Sequence, residues 1–277
     1  MSEPTRFDRN IRLFGAAGQD KIEATHVVLA GVGGLGSHVA QQLSYLGVRR
    51  FTLIDPDRVE LTNLNRLIGA IPEDAELSRP KVEVARRTIL AVRPDAAVEA
   101  TTDAIRSPET VGLPDDADVV FGCLDDDLPR LSLTEACSRR ALPYIDVASD
   151  AGEDEGFLWY GGRVVVSTDG RRCLSCCGEL DQRALALASM TDEQRAADEA
   201  IYGVNRSLLG AGGPAVVSVN GVVASLAVTE FLALVTGLRE PTGRLTYYGH
   251  RGIVTAPEEC DSANCYYCST LYGSARR

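Results

Sequence analysis

The stretch from Val27 to Arg66 restricts the fold of this chain more than any other. It reads Val27-Val28-Leu29-Ala30, a glycine run from Gly31 to Gly36, a helical pattern, then Phe51-Thr52-Leu53-Ile54 and Asp55-Pro56-Asp57. A short apolar run of β-branched residues followed by glycines and a periodic segment describes a buried strand, a tight turn and a helix. Gly31 permits the turn, Gly33 lets the backbone approach a phosphate, and Gly36 lets helix and strand pack closely. Leu35, Val39, Leu43 and Leu46 recur on one helical face, and Gly47 ends the helix. Asp55 lies 19 residues beyond Gly36, where a ribose-binding acid is expected. The chain is therefore predicted to bind a nucleotide on an α/β fold, with NAD and ATP both open at this point.

At 277 residues the chain suits one large α/β domain, or one domain with a small appendage. A net charge of −11 argues against a nucleic-acid or anionic-membrane partner. The polar opening Met1-Ser2-Glu3-Pro4 is no signal peptide, and no transmembrane run is expected, which points to the cytoplasm. Eight cysteines in such a chain suggest metal or thiol chemistry more than disulfides.

In chain order, Arg6, Arg9 and Arg12 recur at helical spacing and read as a solvated face. Pro80 suits a helix start, with Val82, Ala85, Ile89 and Val92 as its apolar stripe. Lys81 then sits in the first turn, where a cation opposes the helix dipole by about 0.3–1 kcal/mol. It either faces an anion or is an exposed surface lysine. Val98–Ala100 and Asp118–Leu124 are strand candidates, and the second ends at Asp125-Asp126-Asp127. Those acids either hold Mg²⁺ outside the carboxyl end of a strand or form a polar loop with a helix cap at Asp127. Leu131–Arg140 reads as a helix and Tyr144–Ala148 as a core strand. Phe157–Tyr160 and Arg163–Ser167 read as an antiparallel pair, because the connection is too short for a crossover. Thr191–Arg195 reads as a helix start, Val216–Leu238 as one apolar helix buried on most sides, and Arg244–Tyr248 with Gly252–Thr255 as a final pair of strands.

Cys173-x-x-Cys176 and Cys265-x-x-Cys268 are two knuckle-type pairs able to close a tetrahedral thiolate site. Structural Zn²⁺ tying the tail to the body is the expectation, with no catalytic role because four cysteines leave no open coordination position. Cys177 and Cys260 are left over as spare thiols, and Cys123 and Cys137 read as small buried side chains.

Taken together, these motifs resemble the ThiF/MoeB/HesA family, bacterial relatives of ubiquitin-activating enzymes, from Arg6 to Cys268. The resemblance implies a Rossmann-like, mostly parallel sheet flanked by helices, with an antiparallel C-terminal extension tied by the four-cysteine zinc site. It implies one adenylation domain over 1–277, with a nucleotide-binding half (1–150) and a substrate-binding and zinc half (151–277). Family members use Mg·ATP to adenylate the C-terminal carboxylate of a ubiquitin-like sulfur carrier or related peptide. Gly31, Gly33, Gly34 and Gly36 resemble the family's nucleotide loop, and Asp55, with Asp57 behind it, its ribose ligand. Asn63 and Arg66 resemble phosphate contacts, Lys81 the phosphate-binding lysine, and Asp125 the Mg²⁺ and adenylate aspartate, with Arg130 at the usual spacing. Arg9 is similar to an arginine that reaches the neighbouring subunit's site, which implies a homodimer. Arg9, Arg66, Lys81 and Asp125 are thus the expected catalytic residues. Position 126 is Asp where the family commonly has Asn, and position 67 is Leu where a polar residue is commoner. No cysteine lies between Gly178 and Glu259, the span in which thioester- or persulfide-forming relatives carry theirs, so adenylation alone is expected. Two other classes compete: an NAD-dependent oxidoreductase, which leaves Lys81, Arg66 and the cysteine pairs idle, and a non-catalytic docking partner, which needs none of the phosphate and metal side chains.

Overall fold

The computed structural model describes residues 5–154, 156–168, 170–182, 185–186, 215–257, 260 and 264–276. The expected helix start at Thr191–Arg195 lies outside them. One sheet runs through the molecule, with strand order β3-β2-β1-β4-β5-β6-β7-β8. Strands β1 (His26–Ala30), β2 (Arg50–Ile54), β3 (Ala97–Thr101), β4 (Val119–Gly122) and the start of β5 (Tyr144–Asp154) pair in parallel. The fold is α/β, with antiparallel strands added at the C-terminal side.

Alternation along β1 divides the core. Val27 and Leu29 face one layer with Phe51, Leu53, Val119 and Phe121, whereas Val28 and Ala30 face the other with Ile54, Val120 and Leu133. Both layers are closed, so every residue of β1 is buried, as expected for a central strand covered on both faces. The first layer is built by α2 (Gly34–Leu46), α4 (Lys81–Val92) and α6 (Val217–Thr236), and the second by α5 (Asp127–Arg139). Gly47 ends α2 with φ 108°, the left-handed stop that glycine supplies without steric cost.

The apolar run of α6 has the length and hydropathy of a membrane span, but half of it is buried inside the protein. Val223, Ala224, Ala227, Val228 and Phe231 face the core, while Ser218, Val222, Ser225 and Thr229 form an exposed stripe. Burial is therefore one-sided and not all round.

The C-terminal strands correct a second expectation. Phe157–Tyr160 and Arg163–Ser167 are not partners but one strand, β6 (Phe157–Ser167), which pairs antiparallel with β5 over its whole length. Gly161 and Gly162 do not break it. A side chain on Gly162 would stand 2.5 Å from the Ala148 carbonyl and 2.6 Å from Val223, and one on Gly161 would strike the Tyr247 carbonyl. These glycines allow neighbouring backbone to come close. Beyond β6, β7 (Arg244–Tyr248) and β8 (Ile253–Thr255) pair antiparallel as anticipated.

At the N-terminus, α1 (Asp8–Ala24) is broken at Gly15. Arg9 and Arg12 are exposed on it, but Arg6 is not merely solvated. Its Nη2 donates to the Val92 carbonyl at 3.0 Å and its guanidinium lies 5.4 Å from the Phe7 ring.

The loop from Asn63 to Pro80, which leads to Lys81, is tied down by Asp74 in the short helix α3 (Pro72–Glu76). The Asp74 carboxylate is fully buried. It accepts hydrogen bonds from the Ile71 amide (2.9 Å), Arg79 Nε (2.7 Å) and Arg87 Nη2 (2.6 Å). Arg87, foremost, holds its pKa well below the usual carboxylate range. Asp74→Asn removes the anion shared by two guanidinium groups that are themselves partly exposed and is expected to cost about 1.5–3 kcal/mol in urea unfolding, the range of a hydrogen bond to a charged group. Because the folded-state pKa is depressed, the ionised group's contribution is complete above an unfolded value of about 3.9 and is lost as pH falls through the folded one. The wild type should therefore lose more stability than the variant on acidification below about pH 4; parallel curves would remove Asp74 from this account.

Candidate active site

The strand order reverses between β1 and β4, the place where open α/β sheets leave a crevice beyond their strand ends. A cavity of about 870 Å³ lies there, bounded by the glycine loop, the ends of β2 and β4, and the middle of β5.

Gly31 has φ 83° and its amide donates to the Ile54 carbonyl at 2.8 Å. An added side chain would meet the Cys123 backbone. Gly33 and Gly34 line the cavity, and a side chain on Gly33 would project into open space. Gly36 does not line it. Its missing side chain makes room for the Gly31 carbonyl, so it acts in packing, as the spacing suggested.

Asp55 closes the floor. It is 4% exposed, accepting the Val32 amide at 2.7 Å and the Asp57 amide at 2.9 Å. Burial pushes its pKa up, against those two hydrogen bonds and the nearby Lys81 charge. Lys81 opens α4 and reaches the cavity with its ammonium 2.7 Å from Asp57 Oδ2. Pro80 thus precedes the helix, and Lys81 is its first residue. The surface-lysine reading fails, since the side chain is only 14% exposed.

Arg66 also lines the cavity. Its methylenes lie against Gly34 and its Nη1 donates to the Thr62 carbonyl (2.6 Å) and Asn65 Oδ1 (3.1 Å). Asn63, expected beside it as a phosphate contact, turns away. It is buried, and its Oδ1 accepts the Glu60 amide at 3.0 Å. Its carbonyl accepts the Arg66 and Leu67 amides, so it shapes the turn that carries Arg66. Leu67 packs with Val59 and Val84 in a satellite core, which accounts for an apolar residue at that position. Arg9, on α1, is not among the residues lining this chain's cavity.

Asp125, Asp126 and Asp127 stand together where β4 runs into α5. Burial, with the charges of Asp125, Asp127 and Asp57, raises the Asp126 pKa. Asp126, not Asp127, occupies the cap position, and it makes no capping bond. Asp127 accepts Arg130 Nη1 and the Asp181 amide, each at 2.7 Å. Arg130 lines the cavity but is 4% exposed and committed elsewhere, with Nη2 and Nε on the two oxygens of Asp146 at 2.6 and 3.2 Å. Tyr144 donates its hydroxyl to Asp146 at 2.9 Å.

Several wall residues were not anticipated. Glu179 pairs with Arg163 and, at 2.6 Å, with Arg244. Burial, then the neighbouring Arg130 charge, lowers the Arg163 pKa. Asn220, 2% exposed in the first turn of α6, accepts the Ser149 hydroxyl at 2.7 Å. The available signal was a polar or ionisable residue inside an apolar run: Asp146 within β5, Arg163 within β6, Asn220 within α6.

The four knuckle cysteines converge, with all Sγ atoms within 4.8 Å of one another. Cys173 and Cys265 are 3.4 Å apart, and Cys176 and Cys268 3.9 Å. Thiolates at about 2.3 Å around a tetrahedral Zn²⁺ stand about 3.8 Å apart, so this donor set fits that ion. Cys177 and Cys260 are not spare: they form a disulfide. The reading of the cysteines as metal or thiol ligands in preference to disulfides fails for this pair, because the chain brings together two residues 83 positions apart. Burial pushes the thiols of Cys123 and Cys137 up; Cys137 is a buried core group as read from the sequence, whereas Cys123 is only half-buried and lines the cavity.

Comparison with known proteins adds the following. The sequence profile of the ThiF family matches residues 7–266. The molybdopterin-synthase adenylyltransferase of Escherichia coli K12 is 28% identical over 252 residues, 89% of this chain and 88% of its own. The sulfur carrier protein ThiS adenylyltransferase of the same organism is 29% identical over 247 residues, 88% and 86% respectively. Among solved structures, the E. coli enzyme MccB crystallised with ATP superposes with a TM-score of 0.72 at 22% identity, over 97% of this chain and 75% of that one. At that identity the likeness speaks for the fold.

Proposed function

The chain belongs to the ThiF family and is an adenylyltransferase; from that premise we propose that it adenylates the C-terminal carboxylate of a small ubiquitin-like sulfur carrier. ATP is consumed and pyrophosphate released. Residues 1–150 serve as the nucleotide-binding half of one domain and 151–277 as its substrate-binding and zinc half.

The observation that carries this reading is the meeting of Lys81, Arg66 and the Asp125–Asp127 acids around the glycine loop in one cavity. A carboxylate oxygen of the acceptor forms a bond to the α-phosphorus as the bond to the β-phosphate oxygen breaks. The acceptor is already ionised at neutral pH, so no general base is required. Alignment and charge neutralisation are required, and Lys81 and Arg66 supply them. Asp55 lies where the ribose is held.

Charge balance extends the argument. Among the described residues, eight carboxylates and four cations line the cavity, and Arg130, Arg163 and Lys81 are already paired. A triphosphate beside these acids calls for further positive charge. Asp125 and its neighbours would hold Mg²⁺, which would supply part of that charge against the phosphates. Arg9 of a second copy supplies the rest, which makes the active species a homodimer. If so, Arg9→Ala and Lys81→Ala chains, each inactive alone, should recover ATP–pyrophosphate exchange when mixed and allowed to re-associate, since one hybrid site is then intact. No recovery from chains shown to exchange subunits would exclude the arginine in trans.

The lack of cysteine between Gly178 and Glu259, with Cys177 engaged by Cys260, supports an enzyme that stops at the acyl-adenylate and hands it to another protein. A peptide acceptor is the second reading, favoured by the fold-level likeness to MccB crystallised with MccA. A cytoplasmic setting belongs to both. Incubating the chain with ATP and candidate carriers or peptides, then reading intact mass for an added AMP, tests the assignment. Absence of both adduct and exchange with every acceptor would sink it.

A further inference from the structure

We propose that Asn220 is a phosphate-binding residue, its Nδ2 donating to a phosphate oxygen of the nucleotide held at the N-terminus of α2. The identity of that nucleotide rests on the adenylation reading. In Val216-Val217-Ser218-Val219-Asn220-Gly221-Val222-Val223 at the start of α6 the polar side chains are Ser218, which is exposed, and Asn220, which is 2% exposed yet borders the cavity. A buried amide is costly unless its hydrogen-bonding groups are used. Its acceptor is used, because Oδ1 takes the Ser149 hydroxyl at 2.7 Å. In the structure the amide oxygen faces Ser149 and the amide nitrogen the opposite side. With Oδ1 turned to β5, Nδ2 is turned to the glycine loop, 2.5 Å from where a side chain on Gly34 would begin.

Gly34 is the first residue of α2. Its lack of a side chain leaves that space to the Asn220 amide on one hand and to the Arg66 methylenes, 3.4 and 3.5 Å away, on the other. The free amides at the start of a helix bind anions, and Asn220 places another N–H donor beside them. Among the described residues, no acceptor takes a hydrogen bond from Nδ2. A residue needed only to lock α6 to β5 would be satisfied by the Ser149 contact. The Nδ2 donor remains, placed beside the glycine loop, and it suits a phosphate oxygen.

The test is calorimetric titration of the full chain with ATP and with adenosine, which lacks the phosphates. Asn220→Leu, close in shape but without donors, is expected to weaken ATP about 10- to 100-fold, the effect of a hydrogen bond to a charged group. Adenosine affinity should stay unchanged. Ser149→Ala, which frees the amide to rotate, should weaken ATP in the same direction by a smaller factor. Equal losses for both ligands, or no loss for either, would overturn the proposal. If Asn220→Leu shows no cooperative melt, Asn220→Asp takes its place. It keeps the acceptor for Ser149 but sets a carboxylate against the phosphate, so ATP should weaken still more with adenosine spared; undiminished ATP binding overturns the proposal there too. A wild-type chain that binds no ATP overturns the adenylation reading and this assignment with it. ATP binding indifferent to Asn220 overturns only the latter.

Discussion

Lys81→Ala should lower acceptor-dependent ATP–pyrophosphate exchange by about 10²–10³-fold, the cost of removing one preorganised electrostatic contact from a transition state. The geometry makes this a clean experiment. The Lys81 side chain is 14% exposed, whereas that of its partner Asp57 is 63% exposed, so the variant strands no buried charge. Helix α4 keeps Val82, Val84, Ala85 and Ile89 in the core, and the Asp74 network still anchors the loop before it. Fold and activity therefore separate: the melting curve should hardly move while exchange collapses. Asp125→Ala should act as strongly by a different route, and added Mg²⁺ should partly compensate it but not Lys81→Ala. Exchange that survives both substitutions would remove the phosphate-binding role from this cavity.

The second large effect is on stability. Cys173→Ser, or stripping of metal with a strong chelator, should lower the melting temperature by about 8–16 °C if the site contributes ~4 kcal/mol in a protein of this size. The four thiols connect the turn at Cys173–Cys176 to the C-terminal segment at Cys265–Cys268, 92 residues away, and behind that turn run Glu179 and Asp181 of the cavity wall. Loss of the ion should thus loosen the wall as well as the tail. Elemental analysis should find one zinc per chain. A chelated protein that melts where the untreated one does would remove the structural role.

Legibility in the sequence followed the range of the contacts. Strand, glycine turn, helix and acid from Val27 to Asp55 were readable because each depends on neighbours within a few residues. Lys81 was readable as a helix-start cation, and the knuckle cysteines by their spacing. What escaped depends on distant pairing. Asp146 serves Arg130 and Tyr144, and Glu179 serves Arg163 and Arg244; none of these partners is signalled locally. Gly161-Gly162 was misread as a loop because the backbone that needs their smallness belongs to β5 and β7. Asn63 was placed on the phosphate by family resemblance, whereas its own turn uses it.

One consequence of the Cys177–Cys260 bridge reaches the bench. It brackets α6 and β7 as well as β8, so a peptide bond hydrolysed anywhere inside that span leaves both pieces joined. Nicked protein would run as a single band on a gel without thiol and fall into fragments only once reductant is added. Purity judged on one kind of gel alone would misreport how much of the preparation is whole.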